Sequence, residues 1–353
     1  MAKRIIRVGI IGQGRSGYDI HAKHLVTDKK YKIVAVTEPL ADRRAQAEQE
    51  FGAATYADYR EMIRRDDLDL VVNSTPSHLH VPVCLDILAS GHNVLCEKPL
   101  ARRAAEVDKL IAASKKAKKL LAIFQQSRFA PYFEQVKKVI DSGILGRIVM
   151  IKAAFNGFGR RWDWQTLQEY NGGNLLNTGP HPLDQVLQLF GPTMPKVTCL
   201  MDRALTFGDA EDHVKLIVSG EGRPTIDLEI SSCCAYSLYT YQVYGTRGGL
   251  TGGTSEMKWK YYDLRRVPKR QLIREPLPNR QYCSETLKWT EKTWTTPKNK
   301  SNLFSYMSNQ FYVHLYKTLT EGAPLVITPE QVRQQIAVIE ECHRQNPLSR
   351  LKA

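Results

Sequence analysis

Residues 5–17 read Ile-Ile-Arg-Val-Gly-Ile-Ile-Gly-Gln-Gly-Arg-Ser-Gly. A short apolar run, 5–11, leads directly into Gly12, Gly14 and Gly17, spaced G-x-G-x-x-G. The run is expected to be a buried strand, and residues 16–26 a helix. In that setting each glycine has its own task. Gly12 permits the tight turn, Gly14 lets the main chain approach a pyrophosphate, and Gly17 lets the helix pack close to the strand. The helix N-terminus then faces the phosphates, with Gln13, Arg15 and Ser16 in the same turn. The second apolar run, 32–37, ends at Glu38, 21 residues after Gly17. A carboxylate there accepts hydrogen bonds from both ribose hydroxyls and repels a 2′-phosphate. The pattern therefore predicts a nicotinamide dinucleotide, NAD in preference to NADP. Arg43 and Arg44 follow and are able to soften that preference.

Outward from this unit, apolar strands are expected at 70–74, 93–96 and 120–124. Helices are expected at 41–51, 56–65, 80–90 and 104–117. Buried strands separated by helices imply a parallel, doubly wound α/β sheet, assigned to a domain at 1–125. Beyond it, helices are expected at 131–142 and 175–190 and a strand at 148–158. Alternating runs at 196–203, 213–219, 225–234, 238–245 and 258–264 indicate an open antiparallel sheet in an α+β domain at 126–353. The Gly-Gly pairs at 248–249 and 252–253 read as turns, 267–300 as an irregular basic insertion, and 301–319 and 329–343 as closing helices.

The 353 residues are long enough for a sizeable core, and 42% are hydrophobic. No apolar run reaches the roughly 18 residues a membrane span needs. The basic and then apolar start runs straight into the glycine turn, so it is read as a strand at a cytoplasmic N-terminus rather than a leader. The seven cysteines are scattered and form no C-x-x-C. That argues against a disulfide framework and against a metal site. The net charge of +14 is spread over modest clusters, and no nucleic-acid module is recognisable, so no nucleic-acid partner is expected.

Two strand ends carry chemistry. One reads Asn73-Ser74-Thr75-Pro76-Ser77-His78-Leu79-His80, the other Cys96-Glu97-Lys98-Pro99. Ligands of doubly wound sheets bind at such carboxyl ends. A lysine there can be desolvated enough to lower its pKa into a useful range.

The set GQGRSG, Glu38, TPSHLH and Glu97-Lys98-Pro99 resembles the glucose–fructose oxidoreductase / inositol dehydrogenase / MocA (Gfo/Idh/MocA) family. The run from Gly172 to Asp184 resembles that family's second motif, G-G-G-x-L-x-D-x-G-x-H-x-x-D. The resemblance implies a Rossmann domain beside an open antiparallel sheet of the glyceraldehyde-3-phosphate-dehydrogenase type. It implies a sugar, glycoside or cyclitol held between nicotinamide and sheet. It also implies catalytic roles for Lys98 and His181: Lys98 hydrogen-bonds the reacting oxygen, and His181 takes the hydroxyl proton. The cofactor would be held by the glycine turn and Glu38, with Ser74, Thr75, Pro76, His78, His80, Glu97, Lys98 and Gln126.

One position departs from the family pattern. Asn177 stands where the family has aspartate. An amide binds a hydroxyl but cannot take its proton. Asp184, three residues beyond His181, is expected to orient it or to meet substrate. Arg161 and Trp164, in the loop before the motif, suit sugar recognition by bidentate hydrogen bonding and stacking. The lead expectation is an NAD-dependent dehydrogenase of a secondary hydroxyl, with C3 of a glycoside as one target. Relatives also imply two alternatives: a glycosidase that oxidises C3 transiently with tightly held NAD, and a non-catalytic sensor. Because a large sheet with one open face needs a cover, a homo-oligomer through that face is expected.

Overall fold

The computed structural model describes residues 4–279 and 282–351. Its first layer is a six-stranded sheet, ordered β3-β2-β1-β4-β5-β6, whose pairings are all parallel. The strands are β1 (Ile6–Ile11), β2 (Tyr31–Thr37), β3 (Ala54–Tyr56), β4 (Leu70–Asn73), β5 (Val94–Cys96) and β6 (Leu121–Ile123). Apart from the edge strand β3 they are almost wholly buried because α1 (Lys23–Thr27), α2 (Ala41–Phe51), α3 (Tyr59–Met62), α4 (His80–Ala89) and α5 (Ala104–Ala117) accompany them. The order reverses between β1 and β4, so the carboxyl ends of these two strands open a crevice at the switch point. Two details differ from expectation. Residues 54–56 form strand β3, which shortens the following helix, and the first turns after Gly14 are wide (Ser16–Ala22) before α1 begins.

The second layer is an eight-stranded sheet ordered β14-β13-β12-β11-β7-β10-β9-β8. It comprises β7 (Ile148–Asn156), β8 (Lys196–Asp202), β9 (His213–Ser219), β10 (Thr225–Ser231), β11 (Tyr241–Gly245), β12 (Gly248–Gly252), β13 (Glu256–Tyr262) and β14 (Trp289–Thr295). Pairing is antiparallel except between β7 and β10, which run parallel. The Gly-Gly pairs bound a strand rather than marking two separate turns. Gly248 and Gly252 lie against Tyr261 and Met257, where an added Cβ would approach main-chain atoms within 2.1 and 2.4 Å. Part of the segment read as irregular is the edge strand β14. Its WTEKTWT sequence alternates β-favouring residues with charges that suit an exposed edge.

Helices α6 (Pro131–Asp141), α7 (Asn174–Asn177) and α8 (Pro180–Phe190) join the layers, and Leu183, Val186, Leu187 and Phe190 of α8 are buried. The expected single helix at 175–190 is broken between α7 and α8, where Pro180 starts the second helix. The last helices, α9 (Leu303–Glu321) and α10 (Pro329–Gln345), return to the first layer. Tyr312 of α9 accepts from Tyr31 Oη at its main-chain oxygen (2.7 Å), and Arg333 of α10 pairs with Asp108 of α5. The C-terminal helices thus pack against β2 and α5 of the first layer. Among the described residues no helix is long and apolar enough to cross a membrane.

Candidate active site

The crevice holds a cavity of about 800 Å³, lined by the glycine turn, Glu38, the β4 and β5 ends, and Asp163, Trp164 and Gln165 from the second layer. Gly12 takes φ +92°, and a Cβ there would sit 2.8 Å from the main-chain oxygen of Ser74. A Cβ on Gly17 would lie 1.8 Å from the Gly12 oxygen, so only glycine lets the helix seat on the strand. A Cβ on Gly14 would meet nothing within 4 Å, which leaves the main chain open to a ligand. Glu38 is buried, with one oxygen accepting from the Gln13 amide (2.7 Å) and the other from that of Leu40 (3.2 Å). Arg43 lies 3.8 Å from it. Gln13 Oε1, Ser74 Oγ and His78 Nδ1 are buried with no partner. Open main chain, a carboxylate at the end of β2 and the unpartnered Ser74 hydroxyl on the cavity wall fit a dinucleotide.

The β4 turn is organised by Asn73, whose Oδ1 accepts from the Thr75 amide and hydroxyl and whose Nδ2 donates to the His80 carbonyl. Thr75 and Pro76 line the cavity. His80 is fully buried, and its ring nitrogens face the carbonyls of Pro99 (2.7 Å) and Thr75 (2.9 Å). It therefore fastens one strand-end motif to the other and has no ring nitrogen left for a ligand. Beside it, the His78 ring packs edge-on against Tyr170. Gln126 is buried away from the cavity wall, its Oε1 unpartnered.

Lys98 precedes Pro99 across a cis peptide bond. Its Nζ donates to the Asn177 carbonyl (2.8 Å) and approaches Asn177 Oδ1 (3.4 Å). Burial lowers the Lys98 pKa, Arg15 and Arg161 lower it further, and Glu97 opposes them. His181, at the start of α8, is half-buried, and its Nδ1 is enclosed without a partner. Burial first, and then the Lys98 charge, depresses its pKa to about 3, against the pull of Glu97. The ring is thus neutral at ordinary pH and keeps an acceptor nitrogen. His181 is not part of the cavity wall.

Asp184 departs from expectation. Both its oxygens are held by Arg128 in a buried bidentate pair, so it neither orients His181 nor faces the cavity. The reason is positional: Arg128 sits in the turn after β6, where the chain leaves the first sheet against α8. Arg161 is engaged with Asp163 (2.9 and 2.8 Å) and Gln165 (2.5 Å). Gln165 Oε1 also accepts from Asn177 Nδ2 (3.3 Å), so a hydrogen-bonded line runs from Lys98 through Asn177 and Gln165 to Arg161. The sequence marked its two ends but not Gln165.

Comparison with known proteins follows the same division. Residues 6–125 match the model of the oxidoreductase family with an NAD-binding Rossmann fold, and 133–251 match the GFO/IDH/MocA C-terminal domain. The scyllo-inositol 2-dehydrogenase (NADP(+)) IolW of Bacillus subtilis is 26% identical, over 95% of this chain and 92% of that protein. Inositol 2-dehydrogenase of Salmonella typhimurium is 31% identical, over 60% of this chain and 66% of that protein. An NAD-binding protein from Listeria innocua superposes with a TM-score of 0.81 at 21% identity, covering 97% of each chain. The WlbA dehydrogenase of Bordetella pertussis, solved with NADH and UDP-GlcNAcA, gives 0.77 at 20%, covering 98% of this chain and 96% of that one. At these identities the two structures establish the shared fold.

Proposed function

The chain belongs to the Gfo/Idh/MocA family of oxidoreductases with an NAD-binding Rossmann domain, and on that premise we propose that it oxidises a secondary hydroxyl of a cyclitol, sugar or glycoside with NAD. The observation that carries this is Lys98, on the wall of the crevice cavity and hydrogen-bonded to the motif that bears His181. The inositol dehydrogenases among the relatives support the substrate class.

The glycine turn and Glu38 hold the dinucleotide, which supplies a hydride acceptor when bound. Lys98 places a positive charge at the reacting oxygen and stabilises the developing alkoxide. His181, half-buried with its Nδ1 enclosed and its pKa held down to about 3, is neutral and takes the hydroxyl proton. Asn177 fixes the Lys98 ammonium through its carbonyl and cannot itself take a proton. Trp164 and Gln165 shape the substrate side. Glu38 sets the preference for NAD, because a 2′-phosphate would meet a buried carboxylate. Screening polyols for NAD reduction tests this assignment.

The assembly we infer is a homo-oligomer through the open face of the second sheet. That face exposes Leu200, Tyr244 and Trp289 and carries a cavity of about 760 Å³ walled by β11–β14. All seven cysteines are free, as suits a reducing cytoplasm.

A further inference from the structure

Behind Glu97, on the side away from the cavity, lies a chain of buried polar groups that catalysis as described does not use. His21, in the wide turns after the glycine loop, has no exposed surface. Its Nε2 is 3.0 Å from Glu97 Oε1, and its Nδ1 is 2.6 Å from the hydroxyl of Tyr312 in α9. Phe124 packs edge-on against the ring at 4.6 Å. The second Glu97 oxygen accepts from the main-chain amide of Lys98 (3.1 Å).

An ionised carboxylate only accepts, so Nε2 carries a hydrogen. In the neutral ring Nδ1 then accepts from the Tyr312 hydroxyl. In the charged ring Nδ1 donates and the tyrosine oxygen accepts. The contacts stay satisfied in both states. Tyr312 is itself held: its main-chain oxygen accepts from Tyr31, and His24 stacks on its ring at 4.8 Å.

We propose that His21 is a positioning residue for Lys98: it fixes the Glu97 carboxylate that accepts from the Lys98 main-chain amide, and Tyr312 of α9 anchors it. The catalytic importance of this device rests on the role assigned to Lys98 above, but its test does not. The electrostatics agree with the geometry. Burial raises the Glu97 pKa, yet the His21 hydrogen bond and charge, with help from Lys98 and His181, hold it at about 2. Glu97 in turn opposes the burial of Lys98. Other groups facing this chain are Arg15 and Arg161 beside Lys98, His80 from α4, Cys96 of β5, and Tyr31 and His24 around Tyr312. Among the described residues the Glu97 carboxylate oxygens are hydrogen-bonded to His21 and to the Lys98 amide.

The experiment is the pH dependence of Lys98 acetylation in the full-length protein, read by peptide mass spectrometry, which needs no substrate. His21→Phe is expected to lower the Lys98 titration midpoint by about one pH unit, because the unsupported buried carboxylate takes up a proton and its charge is lost. Glu97→Gln should lower it at least as far. His21→Gln, whose amide still donates to Glu97, should keep the midpoint within about 0.3 unit of the wild type. Tyr312→Phe, which deletes one hydroxyl, gives a smaller fall in the same direction and serves if His21→Phe does not fold. An unchanged midpoint in Glu97→Gln or Tyr312→Phe overturns the proposal, as does a His21→Gln midpoint matching that of His21→Phe. Full turnover in Lys98→Met would instead remove the catalytic role of Lys98 and leave this coupling standing.

Discussion

Lys98 Nζ donates a 2.8 Å hydrogen bond to the main-chain carbonyl of Asn177. This bond joins the end of β5, in the parallel sheet, to α7, which leads into the helix carrying His181. The proposed catalytic pair, Lys98 and His181, thus comes from two layers, and the replacement of the family aspartate by Asn177 leaves that junction intact. The main-chain oxygen makes the shorter contact, and asparagine and aspartate present the same main-chain oxygen.

On the proposed function, cofactor choice depends on Glu38. The wild type should bind NADH far more tightly than NADPH. Glu38→Ala should narrow the difference by at least about tenfold, since loss of the carboxylate leaves Arg43 near the 2′ position. Fluorescence titration of both reduced cofactors measures this directly. Equal affinities in the wild type would contradict it.

Acid sensitivity follows from His181. Its folded pKa, about 3, lies below the ordinary 6.5, so between these values the unfolded chain binds the proton and the folded one does not. Stability therefore falls as pH drops through that window. Glu97, held at about 2 against an ordinary 4.5, adds to the loss below pH 4.5. Thermal midpoints between pH 7 and 5 should fall less in His181→Asn than in the wild type.

Arg128 and Asp184 form a buried pair with side-chain exposures of 8% and 2%. Arg128→Met strands the carboxylate and should cost about 3–5 kcal/mol in denaturant unfolding. A loss under about 1 kcal/mol would show that the pair is dispensable.

The open sheet face predicts association. Light scattering should give a mass above that of the 40.1 kDa chain. Charges introduced by Leu200→Glu and Trp289→Glu should reduce it. A monomeric wild type would contradict the assembly.

The parallel sheet was legible because its strands are short, apolar and punctuated by glycine, and helices 41–51 and 104–117 coincide with the structure. Expectation failed where tertiary context decides. The glycines of Gly248–Gly252 sit in a strand because main chain of neighbouring strands leaves no room for a Cβ at 248, 249 and 252, and β14 is an edge whose charges mimic a loop. In the site, Lys98 and His181 stood out through motifs. His21, Tyr312 and Gln165 did not, because their partners lie 76, 291 and 12 residues away and no local spacing records such pairings. Asp184 misled for the converse reason: its nearness to His181 in sequence concealed Arg128 across the fold.

The central claim is best tested by mixing the purified protein with NAD and a panel of inositols, sugars and glycosides, and following absorbance of the reduced cofactor. At least one polyol should be oxidised. Lys98→Met and His181→Asn should each lose about 10²–10⁴-fold in kcat while still binding NADH. Turnover that survives both substitutions would contradict the account, as would a protein that binds NADH yet oxidises no polyol in the panel.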